Sequence, residues 1–578
     1  MKIILRLIKP YWLHLILSLS FKSIAALADL FLPWVIAYMI DETIPSLRLQ
    51  AEPNLNELYI LGVIMIGIAF FGWILNVYAN RKAEWIAAMS TETLRNDLFS
   101  KIETLSANQV DQFTRPSLIS RTTTDTYNIY RATAVMQRMG VRAPVLLFGG
   151  IIMSLLLDPV LTLVMISLLP FMTVIIYVTS KKGIPLYKNT QKSVDKYIRT
   201  LRETITGARV IRALSTTDIE TKKFDRDNLE TVENEQLATI TMAKINPMMQ
   251  AIMNIGLVVV LVIGAYRISI GMTKIGQIMA FVTYFTLILN AMMSITRIFV
   301  LNSRATASGA RIDEILDAPF DFEDGTRAVE KDLTHPHIVF EDVSFSYNKK
   351  GYQLEDISFS LKQGQTLGVI GATGSGKTTL IYCLMRFYEL DKGRIKLYGR
   401  DINEIKSEQL RRSIGVVFQN DLIFADSIFS NIQMHRKDIT EESIKKAMTI
   451  AQAEFIYEKT DDLKHVMAQR GLNLSGGQKQ RILIARALAG KPDIIILDDA
   501  SSALDYQTDL NMRKTLRKEL SDSTMIIITQ RISSIKDADL ILILDEGRIV
   551  GRGTHQSLMN SSKLYQEIAS YQMGGDRT

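Results

Sequence analysis

Cysteine is almost absent from this sequence: Cys383 is the only one in 578 residues. No intrachain disulfide can form, which removes disulfide-stapled scaffolds and leaves the redox compartment barely constrained. Cys383 reads as a small core residue. No cleavable leader is expected either. Lys2, Arg6 and Lys9 stand before the first apolar run, but that run is too long for a leader and carries no small-residue cleavage pattern. Acidic residues are outnumbered, 60 against 67 basic ones, for a net charge of +7. That balance fits a nucleic-acid binder or a membrane protein with cytosolic Lys and Arg. Charged residues are nearly missing from long stretches of the first half, and this absence decides between the two.

Six apolar segments approach or reach the roughly 20 residues that cross a hydrocarbon core. They centre on Tyr11–Met39, Leu58–Tyr78, Val141–Leu157, Val160–Val178, Ala251–Ile270 and Ile278–Val300. Soluble bundle helices would show a polar stripe, and stripes here are thin. Basic residues set the orientation. Lys2, Arg6 and Lys9 precede the first segment, Arg81 and Lys82 follow the second, and Lys181 and Lys182 follow the fourth. The other ends are joined by Thr43–Glu57, Asp158-Pro159 and Gly271–Lys274, with little positive charge. Both termini and both long connections are therefore expected in the cytosol.

Those connections, about 60 residues or more each, are charged and amphipathic, and structureless loops of that length are rare. They predict spanning helices that continue into the cytosol and return as two helical hairpins. The expected tips are Ser117–Thr126 and the neighbourhood of Thr216–Ile219. Within the spans, Lys22, Asp29 and Asn254 should face the bundle interior or a water-filled cavity. Lys22 and Asp29 are seven apart and share a helix face, either as a structural pair or as cavity lining. Methionines gather at Met242, Met248, Met249 and Met253, then at Met279, Met292 and Met293. Flexible thioethers suit an adaptable binding surface, and they equally suit ordinary packing.

Apolar runs stop near Ile312. The expected organisation is a membrane domain over 1–311, a linker over 312–335 and an α/β nucleotide-binding domain over 336–578. In the last, Gly371-Ala372-Thr373-Gly374-Ser375-Gly376-Lys377-Thr378 fits the phosphate-binding pattern G-x-x-x-x-G-K-[ST]. It lies between the strand-like Thr366–Ile370 and the helical run that starts at Thr379. The glycines let backbone N–H groups approach phosphate oxygens, and the helix adds its positive end. Lys377 would charge-pair with the β/γ-phosphates and the Thr378 hydroxyl would ligate Mg²⁺. Asp498 ends the apolar run Ile494–Leu497, the position of a second Mg²⁺-holding group.

Between them lie Leu474-Ser475-Gly476-Gly477-Gln478, then Lys479-Gln480-Arg481 and Ala485–Leu488. Ser-Gly-Gly at a helix start offers a hydroxyl, free N–H groups and a dipole to a γ-phosphate. Leu474–Gln478 resembles the signature of ATP-binding cassette (ABC) proteins. With six spans, two cytosolic hairpins and one cassette, essentially the whole chain resembles a half-transporter of the ABC exporter type. Gly207–Ala213 in the second hairpin is similar to that group too. The resemblance implies that Tyr347 stacks on adenine, and that Gln419 touches Mg²⁺ and senses the hairpins. It implies that Ser502–Asp505 communicates across a cassette dimer. ATP and Mg²⁺ are the implied cofactors, with each ATP held by one chain's phosphate loop and the other chain's Ser475, Gly476, Gly477 and Gln478.

Two positions depart from the family. The glutamate that polarises water is here Asp499, its carboxylate about 1.5 Å short, where a 1 Å misplacement can cost ~10²-fold. The switch histidine is here Gln530, which donates a hydrogen bond but carries no proton or charge. Gln469 also replaces a common Glu. A weakened catalytic end beside an intact signature suggests the degenerate-site subunit of a bacterial heterodimeric exporter in the inner membrane, with drugs or other amphipathic compounds as cargo. Alternatives are a homodimer with two slow sites, a lipid flippase, a peptide exporter, and a membrane regulator that does not pump. A peptide exporter is disfavoured because no peptidase-like region precedes the first span. Six spans argue against a soluble ABC ATPase acting on DNA or ribosomes, so no nucleic-acid partner is expected.

Overall fold

The computed structural model describes residues 2–48, 55–319, 321, 323–347, 349, 351–456 and 463–573. The chain forms two compact units, Met1–Glu103 with Pro116–Ala318, and Thr104–Arg115 with Pro319–Thr578.

The first unit is helical. Among the described residues, six helical stretches are long and apolar enough to cross a membrane. The six expected segments fall on Trp12–Tyr38, Asn56–Glu103, Thr126–Leu157, Pro159–Thr206, Ile245–Ser269 and Ile275–Leu316. Asn56–Glu103 and Pro159–Thr206 each hold 48 residues, about 72 Å at 1.5 Å per residue and far longer than a bilayer needs. The spanning helices therefore do run on past hydrocarbon depth. Of the expected outward connection Thr43–Glu57, residues 49–54 lie outside the described residues. At the tight turn Asp158-Pro159, Asp158 caps the next helix, accepting from Val160 N at 2.9 Å and Leu161 N at 3.2 Å.

The first hairpin tip is not where the sequence placed it. The chain reverses over Thr104–Arg115, around the short helix Ala107–Phe113 with Ser106 as its cap. Ser117–Thr126 is already helix and π-turn on the returning arm. Its hydroxyls explain the error. Thr122, Thr123 and Thr126 donate back to the carbonyls of Leu118, Ile119 and Thr122 at 2.9, 2.8 and 2.7 Å. Side chains that compete with a helix when free are absorbed by it here. Asp125 is buried and accepts from Ser308 and Arg311, both at 2.8 Å. The second reversal covers Gly207–Thr216, with the helix Ala208–Ala213 inside it and Ser215 at φ +54°, just ahead of the expected Thr216–Ile219.

Lys22 and Asp29 share a face but not a bond: Lys22 donates to Asn76 and Asn80, and Asp29 accepts from Arg142. The methionines divide. Met249 is buried with Leu161, Met165 and Phe281, whereas Met248 and Met279 are exposed. Asn254 is exposed in the single chain.

The second unit is α/β. One antiparallel sheet runs β2-β1-β4-β5, from β1 (Ile338–Phe345), β2 (Leu354–Leu361), β4 (Lys392–Leu397) and β5 (Arg400–Asp401). A six-stranded sheet runs β10-β9-β3-β8-β7-β6, from β3 (Thr366–Gly371), β6 (Ile414–Val417), β7 (Ile494–Asp498), β8 (Thr524–Ile528), β9 (Leu540–Asp545) and β10 (Arg548–Gly553). Strands β6, β7, β8, β3 and β9 are parallel, and their near-continuous Ile, Leu and Val content fits a sheet covered on both faces. The interval read as linker is not free chain throughout. The sixth long helix continues to Leu316 with Ile312 and Ile315 buried. Further on, Arg327 bridges to Ile405. Cys383 is buried in the core, where burial pushes its thiol up to about 12.

Candidate functional site

The parallel order β3-β8-β7-β6 gathers the site. Val369 pairs with Ile528, and Ile528 with Asp498, so the three strands end side by side. Ligands in open α/β sheets bind beyond such carboxyl ends. Here the ends carry the phosphate loop, Thr529-Gln530 and Asp498-Asp499, while Gln419 follows β6. A cavity of about 330 Å³ is lined by Tyr347, Gln353, Thr373, Gly374, Gly376, Lys377, Thr378, Thr379, Gln419, Asp498, Asp499 and Gln530 among others.

Glycine is required at two loop positions. Gly376 has φ +95°, and a Cβ there would lie 2.5 Å from Gln353 O. At Gly371 a Cβ would lie 2.1 Å from Leu544 O. Lys377 Nζ folds back onto the carbonyls of Gly371 (3.0 Å) and Ala372 (2.6 Å), and lies 3.4 Å from Ser375 Oγ. Burial lowers the lysine's pKa, while Asp498 and Asp499 raise it. Thr378 Oγ1 donates to Asp498 Oδ2 at 2.8 Å. Burial raises the Asp498 pKa, the Thr378 hydrogen bond lowers it, and the charge of Asp499 raises it. A hydroxyl and a buried carboxylate in contact form the hard oxygen pair that Mg²⁺ prefers, and the lysine and glycine loop fit a polyphosphate. The residues present thus fit Mg²⁺ and a nucleotide.

Asp499 is half-buried with φ +51° and donates its N–H to Ile528 O at 2.9 Å. Burial raises its pKa; Arg531 and Lys377 pull it back. Gln530 is exposed, and its amide Nε2 lies 3.4 Å from Thr373 Oγ1. Sequence reasoning missed what steadies it. Gln572, on the helix Lys563–Met573, donates to Gln530 O at 2.5 Å and accepts from Ile532 N at 2.8 Å. Gln353, also missed, accepts from Tyr347 N at 3.0 Å. Neither carries a motif, and no local pattern could have flagged them. Tyr347 lines the cavity with its hydroxyl 3.2 Å from Thr379 Oγ1 and its ring edge-on to Phe345 and Tyr388. Burial raises its pKa.

The signature does not join this cavity. Ser475 caps the helix Gly476–Leu488 and exchanges bonds with Gln478: Ser475 Oγ accepts from Gln478 N at 3.3 Å, and Ser475 N donates to Gln478 Oε1 at 3.1 Å. Ser475 and Gly476 are exposed. From the next turn, Gln480 Oε1 accepts from Ala503 N (3.0 Å), and its Nε2 donates to Ser502 Oγ (3.3 Å). Arg531 reaches Ser502 O at 3.2 Å, so the Ser502–Asp505 turn touches both the signature helix and the segment after β8. The reversal Ala107–Phe113 belongs to this same unit: Tyr388 Oη donates to Asp111 Oδ2 at 2.9 Å, and Gln109 Nε2 to Pro319 O at 2.6 Å.

Residues 15–292 match the ABC transporter transmembrane region, and residues 354–502 match the ABC transporter family. The uncharacterized ABC transporter ATP-binding protein YfiB of Bacillus subtilis (strain 168) is 33% identical over 577 residues, 99% of this chain and 98% of that protein. The uncharacterized ABC transporter ATP-binding protein Rv1273c of Mycobacterium tuberculosis (strain ATCC 25618 / H37Rv) is 30% identical over 98% of this chain and 97% of its own. Among solved structures, a bacterial Atm1-family ABC exporter with ATP bound superposes with a TM-score of 0.82 at 22% identity, covering 99% of each chain, a likeness of fold. With its membrane helices fused to one cassette and relatives matched end to end, the chain belongs to the ABC transporter family.

Proposed function

We propose that this chain is one half of a dimeric, ATP-driven exporter whose own nucleotide site hydrolyses slowly. One observation carries the reading. The cavity of this chain combines a complete phosphate loop and an Asp498–Thr378 pair with Asp499 and Gln530, while its signature lies outside that cavity with Ser475 and Gly476 exposed. A signature turned away from its own phosphate loop needs another chain's loop to serve.

Lys377 and the loop N–H groups bind the polyphosphate. Thr378 and Asp498, with Gln419 nearby, would hold Mg²⁺, which would supply charge neutralisation of the phosphates when bound. Asp499 is the general base, set back by one methylene from the reach of a glutamate, and Gln530 donates a neutral hydrogen bond where an imidazole would also carry charge. Tyr347 offers its ring to adenine. Ser475, Gly476, Gly477 and Gln478 complete the partner's site, so the partner is a second half-transporter bearing Glu and His, and the assembly is a heterodimer. ATP closes the cassettes, and the hairpins pass the motion to the spans, switching the passage from inward- to outward-facing. The cargo is an amphipathic compound of the multidrug type. The basic residues at the helix ends support a bacterial inner-membrane location with both termini in the cytosol.

The test is the intact mass of the tagged protein purified from its host, with its ATPase activity. A one-to-one complex with a different half-transporter is expected. A self-pair that turns over ATP at ordinary rates would show that Asp499 and Gln530 suffice, and would remove the asymmetric reading.

A further inference from the structure

Lys22 is buried to 4% exposure in a helix that crosses the membrane, and among the described residues it forms no ion pair. Its Nζ donates to two neutral oxygens, Asn76 Oδ1 at 2.5 Å and Asn80 Oδ1 at 2.7 Å. Asn80 Nδ2 in turn donates to Asn76 Oδ1 at 3.3 Å, and both asparagines are half-buried. An ammonium at this depth without a carboxylate costs energy, and ionisable groups kept there face a water-filled passage and mark what passes through it.

The neighbours form a ladder. Asn76, Asn80 and Glu84 recur at four-residue steps and share one helix face, as do Arg138 and Arg142 on the third span. Lys22 and Asp29 stand two turns apart, about 10 Å along the first span. Arg142 pairs with Asp29 at 2.9 Å while both remain 42% and 36% exposed. Arg138 pairs with Glu84 at 2.5 Å, and Glu84 also accepts from Tyr130 Oη at 2.8 Å. Glu84 and Arg138 lie just past the apolar runs, but Asp29 and Arg142 lie within them, and a half-exposed pair there cannot border hydrocarbon, so this face borders a polar passage. The inner water interface is marked beside it, where Trp85 meets Tyr11 at 5.6 Å and lies 5.2 Å from Lys82 Nζ. From Tyr130 the ladder continues into a cavity of about 310 Å³ with Thr91, Glu92, Arg95, Asn96 and Tyr127 on its walls. Among the described residues, three cations along the ladder (Lys22, Arg138, Arg142) face two carboxylates (Asp29, Glu84), leaving one positive charge unmatched.

We propose that Lys22, Asn76 and Asn80 form an intramembrane receptor for the anionic group, carboxylate or phosphate, of an amphipathic cargo that enters by the Tyr130 cavity. The inference rests on the export reading and names the cargo's class.

The test uses the protein in the assembly it forms in its host, in phosphatidylcholine nanodiscs, with dodecanoate, dodecyl phosphate and dodecyltrimethylammonium as probes. The anions are expected to bind at least about tenfold more tightly than the cation, the size of one charge-assisted hydrogen bond. Lys22→Met should lose that factor for the anions, and Lys22→Arg should keep it. Asn76→Asp, nearly isosteric, supplies an internal counter-ion and should also lose it. Equal affinity for anions and cation, or anion binding unchanged in Lys22→Met and Asn76→Asp, would overturn the proposal. Phosphatidylglycerol added to the discs separates two sources: competition with dodecanoate identifies a lipid headgroup, and its absence a free amphiphile, each in line with an anion receptor. ATP-driven uptake of a neutral probe is measured in parallel. Uptake without anion preference removes this inference and leaves export standing; anion binding without any uptake does the reverse.

Discussion

Thr378 Oγ1 and Asp498 Oδ2 lie 2.8 Å apart although 120 residues separate them in the chain. Strands β3 and β7 do not touch; β8 lies between them and aligns their ends. The sheet thus brings the hydroxyl and carboxylate together. Asp498→Asn should keep the hydrogen bond to Thr378 and lower Mg²⁺-dependent turnover at this chain's site by at least about 10²-fold. ATPase rates measured across a Mg²⁺ titration read the difference, and equal Mg²⁺ dependence in wild type and variant would refute the assignment.

The double variant Asp499→Glu/Gln530→His restores the reach and the imidazole together. In the heterodimer proposed above, with the partner's glutamate silenced, residual ATP hydrolysis should rise about tenfold or more, because carboxylate placement within 1 Å governs base catalysis. An unchanged rate would locate the slow step elsewhere.

Within the second unit, Tyr388 ties the reversal Ala107–Phe113 to the α/β core through its 2.9 Å bond to Asp111. Tyr388→Phe removes one hydrogen bond to a charged acceptor, worth about 1.5–3 kcal/mol. The expected outcome is ATP hydrolysis retained with less cargo moved per ATP, measured in proteoliposomes. Proportional loss of both would mean a purely structural role.

His337 is buried, stacks on Tyr398 at 4.3 Å and shares a 2.6 Å contact between its Nδ1 and Thr524 Oγ1. Burial lowers its pKa to about 4. An unfolded chain, with a histidine near 6.5, then binds the extra proton as pH falls from 6.5 to 4, so stability drops over that window and is flat above it. The effect is of order 3 kcal/mol. Hydrogen-exchange protection factors at β1 and β8, corrected for the intrinsic exchange rate at each pH, should fall across this range in the wild type and much less in His337→Phe.

Cys383, its thiol raised to about 12 by burial, should resist maleimide at pH 8 in the folded protein and react on unfolding. Modification at comparable rates in both states would place the residue outside the core.

The spanning helices, the phosphate loop and the signature were legible because each is written in local sequence: apolar length, glycines where no side chain fits, Ser-Gly-Gly at a helix start. Ser117–Thr126 misled because hydroxyls that suit a turn suit a helix equally once they bond four residues back, and only the packed neighbours, with Ser308 and Arg311 on Asp125, choose between the two. Gln353 and Gln572 were illegible, since a glutamine amide on a distant backbone follows no spacing. The partners of Lys22 and Asp29 are of the same kind. Seven residues of spacing put them on one face, but the rotation of the second and third spans decided that Lys22 meets two asparagines and Asp29 an arginine. Sequence alone thus determined the class of protein and its two-part architecture, because periodicity and backbone-dictated glycines are properties of adjacent residues. Tertiary structure decided that Lys22 meets two amides and, among the described residues, no carboxylate, because that depends on how helices far apart in the chain turn toward one another.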